Sequence, residues 1–217
     1  KRIGKWIQHD VDTGKKFGEL NCVDNKLDGE YIEYNEDGLV ILSGQYKNDK
    51  KEGKHIYTGD NGKKRKEEIY IDGKLNGVFK EWHPNSNLWF EFQYKDGIKQ
   101  GFCKSFHFNG ECSADEHWNN GKKDGNVIFW YHNGNLKKEI GYKNDLLDGK
   151  YTEYRVSQTK ISEGLMKSNA MNGKWTFWYH NGQKECEVIC KNGELIDGKV
   201  WDDDGNKKKS IRFNYQR

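Results

Sequence analysis

Glycine recurs on a fixed lattice through this 217-residue chain, and no other feature constrains the fold as tightly. Gly29, Gly53, Gly77, Gly101, Gly125, Gly149 and Gly173 are each 24 residues apart. Gly4 lies 25 residues before Gly29, and Gly198 lies 25 after Gly173. Units therefore start near residues 4, 29, 53, 77, 101, 125, 149, 173 and 198, and residues 1–217 read as a single repeat domain. A unit this short cannot bury a core alone, so successive units must stack on one another.

With the lattice glycine as position 1, the clearest unit is Gly173-Lys-Trp-Thr-Phe-Trp-Tyr-His-Asn-Gly182, echoed by Gly125 to Gly134. Position 6 is aromatic in six of the seven central units: Tyr34, Trp82, Phe106, Trp130, Tyr154 and Trp178. Asn-Gly or Asp-Gly at positions 9 and 10, as in Asp37-Gly38 and Asn181-Gly182, is a strong hairpin signal. It predicts a two-residue type I′ turn, with positive φ at both central residues. A second turn closes most units, at Asp72-Gly73, Asp96-Gly97, Asn120-Gly121 and Asn192-Gly193. Each unit is thus strand, turn, strand, turn, with no helical period.

Such a turn puts position 7 opposite 12, 6 opposite 13, 5 opposite 14, 4 opposite 15 and 3 opposite 16, and opposed residues share a face. One face then carries positions 3, 5, 7, 12, 14, 16 and 18, as in Phe79, Leu88, Phe90, Phe92 and Tyr94. It is the more densely apolar, so it is expected on the inside. The other face carries the ladder of rings at position 6 beside an acidic ladder at position 15: Glu67, Glu91, Asp115, Glu139, Glu163 and Glu187. The expected fold is all-β: an elongated, single-layer, twisted antiparallel sheet of tandem 24-residue hairpins.

Composition alone points elsewhere. Hydrophobic residues make up 33%, charged residues 33%, and the mean hydropathy is −1.13, values at which many chains stay unfolded. Aromatic residues, at 14% with Trp 8, Tyr 12 and Phe 10, reverse that reading and predict a thin core made of rings. A net charge of only +3 lacks the field of a dedicated nucleic-acid binder, so nucleic acid is not expected. No apolar run reaches the 18 or so residues a membrane helix needs.

The segment Asp148-Gly149-Lys150-Tyr151-Thr152-Glu153-Tyr154, with its relatives Asp124-Gly125 and Asn172-Gly173-Lys174-Trp175, resembles the MORN-repeat variant family over almost the whole chain. That resemblance implies an elongated β structure serving as a protein-binding scaffold or at membranes, with no catalytic residues in the repeat. Bacterial members of the variant family are often described as antitoxin components of toxin–antitoxin pairs. Departures stand at both ends and within: His55 and Thr58 replace expected aromatics, and Val156-Ser157-Gln158-Thr159 replaces the Asn-Gly turn.

The candidate partner surface is the position 6 face across the middle units. There Trp82, Phe106, Trp130 and Trp178 alternate with Glu91, Asp115, Glu139 and Glu163, an arrangement suited to a peptide-like or helical protein segment carrying apolar and basic residues. The acids have a structural alternative, solvating one face or satisfying strand donors. His83, His107 and Cys112 invite a zinc reading, which fails on three ligands without a Cys-x-x-Cys pair. Cys186 and Cys190 lie about 13 Å apart along one strand, beyond disulfide reach, so thiols in a reducing compartment are expected. No nucleophile elbow accompanies His132 or His180, so catalysis is not expected, nor any cofactor. The basic runs Lys63-Lys64-Arg65-Lys66 and Lys207-Lys208-Lys209 read as solvated charges, with phosphate or acidic-lipid contact, and so membrane association, as the less favoured alternative. The leading expectation is a cytoplasmic scaffold that is antitoxin-like or immunity-like. The sequence starts at Lys1 without Met, which reads as a trimmed N-terminus, so a secreted or surface-displayed adhesion module stays open, and a lipid-surface binder is the second alternative.

Overall fold

The computed structural model describes residues 1–212, and the chain divides into two compact units, residues 1–110 and 111–217. The first holds β1 (Gly4–His9), β2 (Lys16–Val23), β3 (Lys26–Tyr34), β4 (Val40–Lys47), β5 (Lys50–Thr58), β6 (Lys64–Ile71), β7 (Lys74–Leu75), β8 (Gly77–Trp82), β9 (Leu88–Lys95) and β10 (Ile98–Phe106). The second holds β11 (Cys112–Asn119), β12 (Lys122–Lys123), β13 (Gly125–Trp130), β14 (Leu136–Lys143), β15 (Leu146–Tyr154), β16 (Lys160–Lys167), β17 (Ala170–Trp178), β18 (Lys184–Lys191), β19 (Glu194–Trp201) and β20 (Lys207–Arg212). Within each unit consecutive strands pair antiparallel, as the expected tandem hairpins require, and no helix occurs among the described residues.

The register inside a hairpin follows the expected offset up to position 5 and then changes. In β3–β4, Tyr31 faces Gly44, Ile32 faces Ser43 and Glu33 faces Leu42, but Tyr34 faces Val40 and leaves Ile41 as an extra residue. The same slip separates Phe129 from Trp130 and Phe177 from Trp178. Its cause is the turn. Gly38 N–H donates to the Asn35 carbonyl, Asn35 N–H to the Leu39 carbonyl, and of the loop residues only Gly38 has positive φ (78°). This is a three-residue loop ending in a left-handed glycine, not the expected two-residue type I′ turn. Both turn types ask for glycine after Asn or Asp. The paired positive φ values of a type I′ turn occur instead at the second turn, as at Asp72 (50°) and Gly73 (78°).

The lattice glycines at position 1 lie within the strands and not at the turns. In β4–β5, Ser43 faces Ile56 and Gln45 faces Glu52, so Gly44 alone stands across from Gly53, Lys54 and His55. Gly53 takes φ +64° inside this bulge, a backbone state that costs other L-residues about 1–2 kcal/mol. Gly29, Gly77, Gly101, Gly125, Gly149 and Gly173 likewise take positive φ, whereas Gly198 does not and is paired with Val188 and Ile211.

Burial marks the face of positions 3, 14, 16 and 18 as the inner one, with Thr152 and Thr176, at position 4 of the ladder face, buried as well. In the first unit Cys22, Leu42, His55, Glu68 and Cys103 are buried; in the second, Ala114, Val127, Ile140, Ser162, Trp175 and Cys190 are. All of these occupy positions 3, 14, 16 or 18. Rings link them. Tyr46 and Tyr70 both set their edges against His55, at 5.4 and 5.3 Å, and Phe79 stacks on Phe92 at 6.0 Å. Each of the five cysteines carries a thiol rather than a disulfide.

Candidate functional site: the ring ladder and its lysines

The slip at position 13 moves position 12 off the packed face and onto the ladder face, directly opposite position 6. The sequence places lysine at this position in Lys16, Lys64, Lys160, Lys184 and Lys207. Each of the first three caps the position 6 ring of the next hairpin: Lys16 lies 4.2 Å from the Tyr34 ring, Lys64 5.2 Å from Trp82 and Lys160 5.5 Å from Trp178. A lysine over an aromatic face gains about 0.5–1 kcal/mol at an exposed site.

The acids at position 15 share this face, as expected, but lysines hold them. Glu67 pairs with Lys54 at 2.8 Å and Lys64 at 2.9 Å, and Glu187 with Lys174 at 2.9 Å and Lys184 at 2.6 Å. Glu163 pairs with Lys160 at 2.6 Å, Glu91 with Lys80 at 3.6 Å and Glu139 with Lys150 at 3.8 Å. At the first position of the ladder Glu19 takes Lys16 and Lys5, both at 2.6 Å, and the Tyr34 hydroxyl donates to it at 2.9 Å. Lys16, Lys5 and Tyr34, in that order, hold the Glu19 carboxyl at about 2. Lys184 and Lys174 likewise hold Glu187 below the ordinary carboxylate range. The ladder is therefore zwitterionic rather than acidic, and position 12 supplies the cations that the assumed register had hidden.

Of the expected site residues, Trp82, Phe106 and Glu91 lie in the first unit, and Trp130, Trp178, Asp115, Glu139 and Glu163 in the second. All four rings are partly exposed. In the second unit the ladder is unbroken and longer than expected, running Trp130, Tyr154, Trp178 and Trp201. Trp201 follows Trp178 by 23 residues instead of 24, and the expected unit start at Gly198 had placed it at position 4. In the first unit Thr58 interrupts the ladder, its hydroxyl donating to the Val40 carbonyl.

Position 7 fixes the backbone beneath the rings. The Tyr131 hydroxyl donates to the Tyr154 carbonyl at 2.8 Å, Arg155 Nη2 to the Trp178 carbonyl at 2.8 Å and the Tyr179 hydroxyl to the Trp201 carbonyl at 2.9 Å. Tyr154, Trp178 and Trp201 are thus each tied to the hairpin before them. Position 7 was expected opposite 12, the premise that set His107 across from Cys112. The hairpin turns pair 7 with 11 instead, and no group of three His, Cys, Asp or Glu among the described residues could hold a metal. In the basic run Lys64 reaches Glu67 on the ladder face and Lys66 reaches Glu68 on the packed face; residues two apart in a regular strand would share a face, and the slip at position 13 separates them.

A 24-residue period of antiparallel hairpins, with one face packed and the other carrying the ladder, defines a tandem β-hairpin repeat protein. Residues 75–96, 123–144 and 171–192 match the family model described as MORN repeat variant. The three matches fall 48 residues apart, on the hairpins whose position 6 is Trp82, Trp130 and Trp178. No curated protein matches. Among solved structures, the crystal structure of TcdB2-TccC3-Cdc42 aligns with 96% of this chain at 10% identity and a TM-score of 0.26. That of TcdB2-TccC3-TEV aligns with 90% at 10% identity and a TM-score of 0.25. The chain spans 12% and 14% of the length of those chains, and similarity at this level carries no structural argument.

Proposed function

We propose that this chain is a non-catalytic, protein-binding repeat scaffold, antitoxin-like or immunity-like, that receives an extended segment of a protein partner on its ring ladder. The observation that carries this reading is the division of labour between the faces. Positions 3, 14, 16 and 18 supply most of the core, while half-exposed rings at position 6 recur on the opposite face, Tyr154, Trp178 and Trp201 each tied to the preceding hairpin through position 7. Repeating, pinned rings flanked by charge provide anchors for affinity and ions for selectivity. Thiols at all five cysteines fit a reducing, cytoplasmic setting.

The test uses a partner captured by the intact chain from its source cells, purified and titrated against variants. Trp130→Ala should lower both melting temperature and affinity. Glu139→Lys should leave the melting temperature nearly unchanged and shift affinity by about 1–2 kcal/mol, its sign reporting the charge of the partner segment. Equal loss of stability in the two variants, with unchanged affinity, would make the ladder purely structural.

A further inference from the structure

The second unit carries a row that runs across the sheet rather than along a strand: Tyr154, Lys160, Trp178, Lys184, Trp201 and Lys207. Tyr154 faces Lys160, Trp178 faces Lys184 and Trp201 faces Lys207, and Lys160 lies over the Trp178 ring, so ring and lysine alternate strand by strand. At a strand spacing of about 4.8 Å, one ring follows another every 9.6 Å or so. We propose that this row reads an acidic segment in the polyproline II conformation, one residue in three meeting each ring–lysine step. The inference rests on the scaffold reading above and adds the chemistry and conformation of the partner.

Period selects the conformation. Polyproline II rises about 3.1 Å per residue with three residues per turn, so residues i and i+3 point the same way about 9.3 Å apart, close to the ring spacing. An extended β-strand covers about 10 Å in three residues but turns its side chains to opposite sides at that interval. Polyproline II segments are already ordered before binding and dock in aromatic-lined grooves, so little entropy is lost.

Charge selects the sign. Between Leu146 and Lys207, positions 2, 4, 12 and 15 of the ladder face hold six lysines against three acids, Glu163, Glu187 and Asp197. Glu187 already has two of those lysines and Glu163 has one. The surplus is cationic and open: Lys199 and Lys207 are both exposed. Lys150 and Lys174 flank a groove of about 430 Å³ lined by Leu165 and Thr176, with Glu163 on its wall. A partner carboxylate between the two lysines would sit beside apolar surface. The glutamates in the face disfavour a uniformly charged polyanion and leave a mixed peptide as the better match.

The experiment titrates the intact chain with synthetic peptides and reads tryptophan fluorescence. The peptides repeat Glu-Pro-Pro, Lys-Pro-Pro, Glu-Gly-Gly, which keeps the charge but loses the conformation, and Glu-Pro-Pro-Pro, which keeps the conformation but loses the period. A carboxylated polysaccharide is the fifth ligand. The Glu-Pro-Pro peptide should bind about tenfold tighter than each of the others, and Lys160→Gln, Lys184→Gln and Lys207→Gln together should remove about that factor while circular dichroism shows an unchanged fold. Equal binding of Glu-Gly-Gly or Glu-Pro-Pro-Pro overturns the period. Tighter binding of Lys-Pro-Pro overturns the sign, and binding of the polysaccharide alone overturns the peptide. If no ligand binds, the inference fails, while the scaffold reading is decided separately by the Trp130 and Glu139 variants.

Discussion

His55 in the first unit and Trp175 in the second occupy the same lattice position and are built into the sheet in the same way. Each ring lies over a glycine of the strand before it: a Cβ added at Gly44 would come within 2.3 Å of His55, and one at Gly164 within 2.3 Å of Trp175. Each ring nitrogen bonds the carbonyl of the residue after that glycine, His55 Nε2 to Gln45 at 2.8 Å and Trp175 Nε1 to Leu165 at 2.9 Å. What differs is the size of the neighbours. The small imidazole sits between two large rings, Tyr46 and Tyr70, whereas the position 18 residues in the strands beside Trp175 are Met166 and Cys190. The repeat conserves volume summed over neighbours rather than residue type, which is how close-packed interiors tolerate substitution.

The comparison has a chemical cost on one side only. With Nε2–H donated to Gln45, His55 Nδ1 is left buried and without a hydrogen-bond partner. Nearby, buried Glu68 accepts from the Tyr70 hydroxyl at 2.9 Å and pairs with Lys66 at 3.0 Å. Burial pushes the Glu68 carboxyl up, but Lys66, Tyr57 and Tyr70 outweigh it, and the net shift is downward. Burial pushes His55 down, the largest of its causes.

The largest expected effect separates the two rings by size. Trp175→Ala should cost about 3–5 kcal/mol in denaturant unfolding, as deletion of a buried aromatic does, and His55→Ala clearly less. Equal costs would mean that the ring volumes are not what the two sites share. Next come the glycines beneath them. Gly44→Ala and Gly164→Ala should each cost about 1–3 kcal/mol through overpacking, since neither glycine has positive φ and only space is at issue. Pairing Gly44→Ala with His55→Ala should recover most of the glycine's penalty in a double-mutant cycle. Additive losses would disprove the seat.

Acid should distinguish the sites next. The unfolded chain protonates His55 near the ordinary histidine value of about 6.5, before the folded one does, so its contribution is intact above that pH and falls as pH drops below it. Glu68, lowered in the fold, contributes above about 4.5 and loses its share as pH falls further. His55→Phe should therefore flatten the stability curve just below about 6.5 while leaving the steeper loss below 4.5. An unchanged profile would place the titrating group elsewhere.

The period, the strands and the packed face were legible because positions 3, 14, 16 and 18 alternate with the pleat whatever turn joins the strands. The ladder face was legible only in part. Asn-Gly serves a type I′ turn and a three-residue loop alike, and the choice decides whether position 12 lies with the core or with the rings. Lys16, Lys64, Lys160 and Lys184 were visible at a regular spacing, but on the wrong side of the sheet until the slip at position 13 was seen. His55 could be noticed as a substitution, yet its seat on Gly44 joins residues of two different hairpins and has no local signature.

The smallest expected effect concerns the turns of the hairpins that supply the two seats. The strand bearing Gly44 follows a loop ending in Gly38 at φ 78°, whereas the strand bearing Gly164 follows one ending in Gln158 at φ 67°. The hydrogen bonds are the same: Gln158 N–H donates to the Arg155 carbonyl at 2.9 Å and Arg155 N–H to the Thr159 carbonyl at 2.8 Å. The second unit thus makes the turn without the residue that makes it easily, at a strain of about 1 kcal/mol. Gln158 recovers part of this through its Nε2, which donates to the Leu136 carbonyl of the preceding hairpin at 3.0 Å. Gln158→Gly relieves the backbone and deletes that bond, so the net gain should be small, about 0.5 kcal/mol or less. Gly38→Gln meets the full strain and should cost about 1 kcal/mol, because its surroundings were not built around a glutamine. If the two substitutions prove equal and opposite in denaturant melts, the side-chain bond of Gln158 contributes nothing and the two turns differ by backbone strain alone.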